Sequence, residues 1–279
     1  MENKKKINLF IIDSIKHITS LSTLNALELK GFTSTLSKLR FFPNTKVTMP
    51  FSLGRTVRGV SFDKNLLLDP AGRLCNEILN NENDDVIYNN LSEEFEKQKF
   101  LSAADIVCFR NNHTLKNYPA WALVMPWEEV SIEEMFNSYP RAFYKNRISK
   151  GLVFESSSRK SIVKLMYSSE FIENRIAQYK NLIESIQKNG ILRSYDIPKV
   201  NILLKGNEWR WFMGDGGNHR SYIFSSMGHS FFTVRVNAII NKNEINNWHN
   251  VKNGTYTVGE AEKIFDNYFD GSKVYRGMV

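Results

Sequence analysis

The stretch from Phe171 to Val236 limits the fold more than any other part of the sequence, because it specifies several elements in a fixed order. Its first part, "FIENRIAQYKNLIESIQKNG", carries apolar residues at alternating spacings of four and three, as on one face of a helix. Lys188 lies where the last turn would be, and Gly190 can adopt the backbone conformation that ends a helix. The pattern predicts one amphipathic helix. Its apolar face consists of Ile172, Ile176, Tyr179, Ile183 and Ile186.

The residues after this helix have the pattern of strands and turns. "VNILL" and "WRWFM" flank Lys205-Gly206-Asn207-Glu208, which is typical of a hairpin with a short glycine-containing turn. A second turn, "GDGGNHR", leads into "NHRSYIFSSM", a short helix that Gly228 would close. "SFFTVRVNAII" then has the character of a strand. We therefore expect an α+β fold.

Five shorter segments add to the secondary-structure prediction. "TKVTMPF" is typical of a short strand, and Asp69-Pro70 has the pattern of a helix start. "ADIVCF" and "AWALVM" have the composition of strands. Thr257 and Glu260 form a capping-box pattern before the last apolar helix.

Composition restricts the class of protein without naming its function. Hydrophobic residues make up 42% of the 279, which indicates a globular chain and excludes a disordered one. The net charge of +8 favours an anionic partner such as a nucleotide, a phosphorylated metabolite or nucleic acid. The two cysteines, Cys75 and Cys108, form no CxxC motif or zinc pattern and indicate a reducing compartment. No apolar run reaches membrane-spanning length, so we expect a cytoplasmic protein with no membrane partner.

The glycine-rich turn has the features of a phosphate site. The first N–H groups of a helix have no internal partners and favour an anion, and Gly216 and Gly217 would let a phosphate approach the backbone. Arg220 can donate to two phosphate oxygens, and Asn218 and His219 can bond to phosphate or to a hydroxyl. The alternative is that the glycines merely turn the chain and Asn218 caps the helix.

Three neighbouring patterns together resemble the ParB/sulfiredoxin superfamily. They are "LIESIQKNGIL", the hairpin, and "GDGGNHRSYIFSSMGHSFFTVRV", in the family's order over roughly 70 residues. The resemblance implies a ParB/sulfiredoxin-like core with a small mixed sheet and flanking helices, which binds nucleotide at the turn. It does not extend to residues 1–118. We expect an N-terminal α/β region at 1–118, the nucleotide-binding domain at 119–245, and a C-terminal helical extension at 246–279.

The sequence of the turn distinguishes between subclasses of this superfamily. Asn218 stands where sulfiredoxins have their catalytic cysteine, which disfavours sulfinic-acid reduction. Partition proteins carry "GERR" and a downstream helix-turn-helix domain, for which the stretch after Val236 is too short. Free-serine kinases carry "DGHHR", the nearest match to "DGGNHR", although one more residue separates Asp215 from His219 here. The resemblance therefore implies a nucleotide-dependent phosphotransferase.

A kinase also needs a base near the acceptor hydroxyl and groups that hold the substrate. By resemblance to the serine kinases, Glu133 or Glu134 of "VMPWEEVSIEEMF" would be the base. The alternative for Glu134 is a capping box with Ser131. The basic side chains expected to hold an anionic substrate are Arg141, Arg147 and Arg159. The segment from Arg141 to Arg147 could instead bind single-stranded nucleic acid, with Phe143 and Tyr144 stacking on bases, or be a solvated face with aromatic residues in the core.

The leading hypothesis is a kinase for a small hydroxylated metabolite or glycan precursor that uses ATP or ADP, or else CTP, with Mg²⁺. The turn residues would bind the nucleotide, Asp215 and Asn218 would hold the metal, and His219 would take part in catalysis. A homodimer is compatible with the sequence. The alternatives are a DNA-associated protein, either a CTP-binding regulator or a nuclease, and a nucleotide sensor without turnover. The nucleotide-binding residues are Asp215, Gly216, Gly217, Asn218, His219, Arg220 and Ser221.

Overall fold

A five-stranded mixed sheet organises the part of the chain that the structure describes. In this computed structural model the described residues are 46–148, 159–190, 197–214 and 216–273; at 146–148 and 159–162 the description covers the backbone alone. Helices pack on both faces of the sheet, so the fold is of the expected α+β class.

The sheet combines parallel and antiparallel pairs in the order β1-β5-β3-β4-β2. The pairs β1–β5 and β3–β4 are antiparallel, whereas β3–β5 and β2–β4 are parallel. The predicted hairpin is confirmed, because Lys205 pairs with Glu208 and Gly206 has a φ of +59°. The predicted strand at "TKVTMPF" is also confirmed. The strands are β1 (Lys46–Pro50), β2 (Gly54–Arg55), β3 (Lys199–Lys205), β4 (Glu208–Met213) and β5 (Phe231–Asn241).

Three helix ends lie where short-range signals placed them. Asp69 accepts a hydrogen bond from the Ala71 N–H at the start of α1, and Thr257 and Glu260 form the predicted capping box of α9. Gly190 follows α6 with a φ of +64°. The helices are α1 (Pro70–Leu79), α2 (Asp84–Lys99), α3 (Ala103–Val107), α4 (Ile132–Ile148), α5 (Arg159–Met166), α6 (Ser169–Asn189), α7 (Asn218–Ser226), α8 (His249–Lys252) and α9 (Val258–Asp270).

The apolar side chains form two clusters, one on each face of the sheet. The first contains the predicted face of α6, together with α1, α2 and α7, packed on the side of Val200, Trp211 and Val234. The second packs α3 and α9 against the opposite side at Leu203 and Phe212. The sheet therefore lies between two helical layers, and α7 connects the ends of β4 and β5 on the first of its faces.

Two predicted strands are wrong. "ADIVCF" belongs mostly to α3, which begins with a capping box between Ser102 and Asp105 and ends at Cys108 with a φ of +61°. "AWALVM" begins as a single 3-10 turn, Ala120–Ala122, and continues without a strand. Both segments contribute buried side chains, Ala104 and Val107 from the first and Val124 and Met125 from the second. Burial makes a short segment apolar whether it is helical or extended, so composition alone did not distinguish the two.

The sheet draws strands from both sides of residue 118. Strands β1 and β2 come from the expected N-terminal region, and they pair with β5 and β4 of the expected nucleotide-binding domain. The first apolar cluster likewise joins α1 and α2 to α6 and α7. In the same described residues, no helix is long and apolar enough to cross a membrane.

Candidate functional site

The turn between β4 and α7 depends on two glycines with left-handed backbone conformations. Gly216 has a φ of +75° and Gly217 a φ of +76°. A Cβ on Gly217 would lie 2.4 Å from the Pro198 Cγ, whereas a Cβ on Gly216 would meet no atom within 4 Å. Gly217 is therefore required by packing as well as by conformation. Gly216 faces open space, where a ligand can reach the backbone.

Helix α7 begins at this turn without a side-chain cap. Gly217 occupies the N-cap position, so the interpretation of Asn218 as the cap is wrong. Asn218 is instead the first helical residue, and its Oδ1 is buried and accepts no hydrogen bond in the described part of the chain. A buried acceptor of this kind normally has a partner. The start of α7 thus combines the anion preference of a helix N-terminus with an unused oxygen.

His219 is held from behind by α6. Its Nε2 lies 2.8 Å from an Arg175 guanidinium nitrogen, and its Nδ1 lies 3.3 Å from the Gln178 amide. The Tyr179 ring packs on the imidazole at a centroid distance of 4.9 Å. The guanidinium and the Gln178 amide nitrogen can both only donate, and a neutral imidazole has a single acceptor nitrogen, so only one of these contacts is a hydrogen bond. The shorter one makes Nε2 the acceptor and leaves the ring proton on Nδ1. Both ring nitrogens face α6, which makes His219 a support for the turn rather than a base ready to receive a substrate proton.

Arg175 was missed by the sequence reasoning. Arg175 is only 7% exposed. Its guanidinium also donates to the Gln178 Oε1 and lies 5.2 Å from the centre of the Phe171 ring. A usable signal existed, because Arg175 is four residues from both Phe171 and Tyr179 and therefore shares their helix face. A charged residue on an apolar helix face indicates a buried polar contact.

The other two predicted residues of the turn differ in their contacts. Ser221 is buried, and its hydroxyl donates to the Asn218 carbonyl over 2.7 Å, so that hydroxyl is already used within the helix. Arg220 is half-buried in the first turn of α7, next to the N–H groups at the helix start. Its role as a phosphate contact stays a prediction. Asp215 lies outside the described residues.

A buried charged network fixes α7 one turn further along. Asp69 accepts from an Arg58 nitrogen at 2.6 Å and from the Tyr222 hydroxyl at 2.7 Å. Arg58 is 1% exposed and Asp69 is fully buried, so the ion pair is enclosed. Burial raises the pKa of Tyr222 well above its ordinary value, and its hydroxyl stays protonated and donates. This network ties α7 to α1. Arg58 was also missed, because nothing in its local sequence indicates burial.

The predicted base residues lie at the start of α4. The capping box is observed: the Glu134 carboxylate accepts from the Ser131 N–H and hydroxyl at 2.8 Å, and the Glu134 N–H donates to that hydroxyl. The bond from the backbone N–H of Ser131, followed by that from its hydroxyl, lowers the pKa of Glu134. A lower pKa makes Glu134 a weaker base. Glu133 is exposed and takes no part in the capping box.

The predicted substrate residues are placed only in part. Arg141 and Glu134 line an open groove along α4, together with Asn137 and Lys145. No residue of the glycine turn lines this groove in the described part of the chain. The predicted arginines whose side chains lie outside the description are Arg147 and Arg159.

Of the two predicted metal ligands, Asp215 and Asn218, only Asn218 lies in the described part of the chain. No group of three or more His, Cys, Asp or Glu side chains in the described ranges is arranged to bind a metal ion. Mg²⁺ usually takes one or two protein oxygens and completes its shell with water and phosphate, so the unused Asn218 Oδ1 fits as a ligand. Comparison of the chain with family models, curated proteins and solved structures found no match.

Proposed function

We propose that the start of α7 binds the phosphates of a nucleotide, and that the protein transfers a phosphoryl group to a small hydroxylated acceptor. The observation that carries the proposal is the combination at one helix start: no side-chain cap, open space above Gly216, and an unpartnered Asn218 Oδ1. A helix start of this kind attracts anions. The resemblance of the turn to a ParB/sulfiredoxin nucleotide box supports the same ligand.

Each residue of the site has a distinct role in this proposal. The backbone at Gly216 and the first N–H groups of α7 bind phosphate oxygens, and Arg220 neutralises their charge. Asn218 Oδ1 contributes one ligand to Mg²⁺, whose charge stabilises the phosphates when it is bound. His219 positions the turn through its contacts with α6.

Transfer requires a base for the acceptor hydroxyl. The acceptor oxygen forms a bond to the terminal phosphorus, the bond to the bridging oxygen breaks, and the hydroxyl proton passes to a carboxylate. Glu133 is the better candidate, because Glu134 is engaged by Ser131 and its pKa is lowered. Arg141 and Lys145 line the groove along α4 beside Glu129 and Glu134, and in this proposal the two basic side chains contact an anionic acceptor.

Nucleotide binding is tested with two glycine variants that carry the same backbone cost. Gly216 and Gly228 have φ values of +75° and +81°, and a Cβ on either would meet nothing within 4 Å. Alanine at either position should cost about 1 kcal/mol of stability, because both force a side chain into the left-handed region. We expect Gly216→Ala and Arg220→Ala to weaken ATP, ADP or CTP binding by tenfold or more in calorimetry with Mg²⁺. Gly228→Ala, at the far end of α7, should bind as the unmodified protein does.

Two results would end this proposal: no nucleotide binding at all, or equal losses in the Gly216→Ala and Gly228→Ala variants.

Transfer is tested separately, by phosphate release and by screening hydroxylated acceptors. Glu133→Gln should abolish turnover and retain binding, whereas Glu134→Gln should retain most of the turnover. Binding without turnover on any acceptor would favour a nucleotide sensor, which the engaged ring nitrogens of His219 also suit.

A further inference from the structure

One half of a sheet face is covered by no helix of the described ranges. On the covered half of this face, Leu203 and Phe212 pack into the second apolar cluster. Along β1 and β5 the alternate residues pack into the first cluster on the other face, so Lys46, Thr233 and Arg235 point away from it. Their side chains are exposed or half-exposed. The open half spans β1, β5 and the beginning of β3.

Three basic residues lie side by side on this open half. Arg235 of β5 is in register with Lys46 of β1 on one side and with Lys199 of β3 on the other. Neighbouring strands are about 4.8 Å apart, so the three side chains start within roughly 10 Å of one another. We call these three residues the basic row. Like charges directly opposite each other destabilise a sheet, so the row has a cost to stability that calls for an explanation.

No acidic group within the described ranges offsets the row. None of its three members forms an ion pair with a described residue. The Arg235 Nε is buried and donates to no acceptor in the same ranges. A buried donor without a partner is unusual in a native protein, and it is satisfied when an anion binds beside it. The row is therefore suited to phosphate groups.

The remaining side chains of the open half are neutral hydrogen-bonding groups and one aromatic ring. Thr48 and Thr233 pair across the strands at 3.2 Å, and Asn237 donates to Asn201 over 3.0 Å. Phe231 lies on β5 two residues before Thr233, on the same face, and is 49% exposed. Cations, amides and an exposed ring on one sheet face match the needs of an extended chain of phosphates and unpaired bases.

We propose that this open half of the sheet binds single-stranded nucleic acid, with the backbone phosphates on the basic row and a base stacked on Phe231. Bases that are not paired are free to stack on an aromatic ring at the protein surface. The proposal is independent of nucleotide binding at α7, since it rests on residues of β1, β3 and β5.

The test is fluorescence anisotropy with a labelled oligo-dT of about 12 nucleotides, within the usual site size. A triple variant, Lys46→Thr, Lys199→Thr and Arg235→Thr, keeps good strand-forming residues and removes the charges. For single strands, log K falls with log salt by about 0.7 for each phosphate contact, so the salt slope should decrease by about 2. Phe231→Ala should weaken binding about tenfold at constant salt slope.

A matched control removes the same charge elsewhere. Lys64, Lys164 and Lys252 are exposed and form no ion pair with a described residue. Their triple threonine variant should largely retain affinity and salt slope. The row variant should also unfold at the same or a higher temperature, because it loses like-charge repulsion. A purely structural role for the row predicts a lower temperature instead.

Three outcomes would overturn the proposal. The first is that oligo-dT fails to bind at 100 mM salt, and the second is that the control variant loses as much affinity as the row variant. The third concerns the source of the phosphate. If inorganic tripolyphosphate binds the row as tightly as the oligonucleotide, and Phe231→Ala changes nothing, the site takes isolated phosphates and not nucleic acid.

Discussion

The network that ties α7 to α1 should depend on the single carboxylate of Asp69. This side chain is fully buried and accepts from Arg58 and from the Tyr222 hydroxyl, and it also caps α1 through the Ala71 N–H. Asp69→Asn keeps the shape and most of the capping ability, because asparagine is also a good N-cap. It removes the negative charge, however, and leaves the Arg58 guanidinium enclosed without a counter-ion.

The magnitude follows from these contacts. Breaking a buried ion pair by removing one partner costs about 3–5 kcal/mol, so Asp69→Asn should lose this much free energy of unfolding. Tyr222→Phe removes one hydrogen bond to a charged group, which is worth about 2 kcal/mol. In the Asp69→Asn background the same hydroxyl faces a neutral amide, and the loss should fall to about 1 kcal/mol. The two substitutions are therefore expected to couple by about 1 kcal/mol.

Urea unfolding of the single and double variants measures these quantities. Tyr256→Phe is the matched control, because the Tyr256 hydroxyl is also buried but donates to a neutral acceptor, the Val124 carbonyl, over 2.6 Å. It should cost about 1 kcal/mol. The reasoning is refuted if Asp69→Asn costs less than about 1 kcal/mol, or if Tyr222→Phe costs no more than Tyr256→Phe.

Three further results are expected. Gly217→Ala should cost about 2–4 kcal/mol in urea unfolding, because the new methyl group would clash with Pro198 and the alanine would have to keep a positive φ. A cost equal to that of Gly216→Ala would contradict this. Burial raises the pKa of Asp266, but hydrogen bonds and charges from two lysines outweigh it and hold that pKa below its ordinary value. Its stabilisation is thus present above the ordinary pKa and lost as the pH falls through the folded one. Asp266→Asn should cost about 1 kcal/mol at pH 7 and nothing near pH 2, and a pH-independent cost would be inconsistent with this. Nitrogen NMR of His219 should find Nδ1 protonated and Nε2 unprotonated near pH 8; the opposite tautomer would exclude the contact with Arg175.

The elements that the sequence predicted correctly depend on short-range interactions. The apolar face of α6 follows from helical spacing, the hairpin from its two-residue turn, and the start of α9 from its capping box. The same holds for the glycine turn, because left-handed backbone conformations favour glycine. Residue types three or four positions apart suffice to specify such features.

The helical nature of "ADIVCF" was not predictable in this way, since buried helices and buried strands share an apolar composition. The contact between His219 and Arg175 joins residues 44 positions apart, and Asp69 meets Tyr222 across 153. The helix face of Arg175 could have indicated its burial, but no local pattern identifies the partner in such a distant contact. They determine that His219 faces α6 instead of the open turn, and that α7 is anchored to a buried ion pair.

The basic row shows the same division most clearly. Each of its three residues is an ordinary basic residue in its own strand, and the sequence determined only that those segments would be extended. The register of β1, β5 and β3 placed the three charges side by side, over sequence separations that only the folded sheet could bring together. Local spacing thus determined most, though not all, of the segments that became helices and strands. Strand pairing and the packing of α6 against α7 decided which charges became neighbours, because these depend on the whole core and not on any single segment.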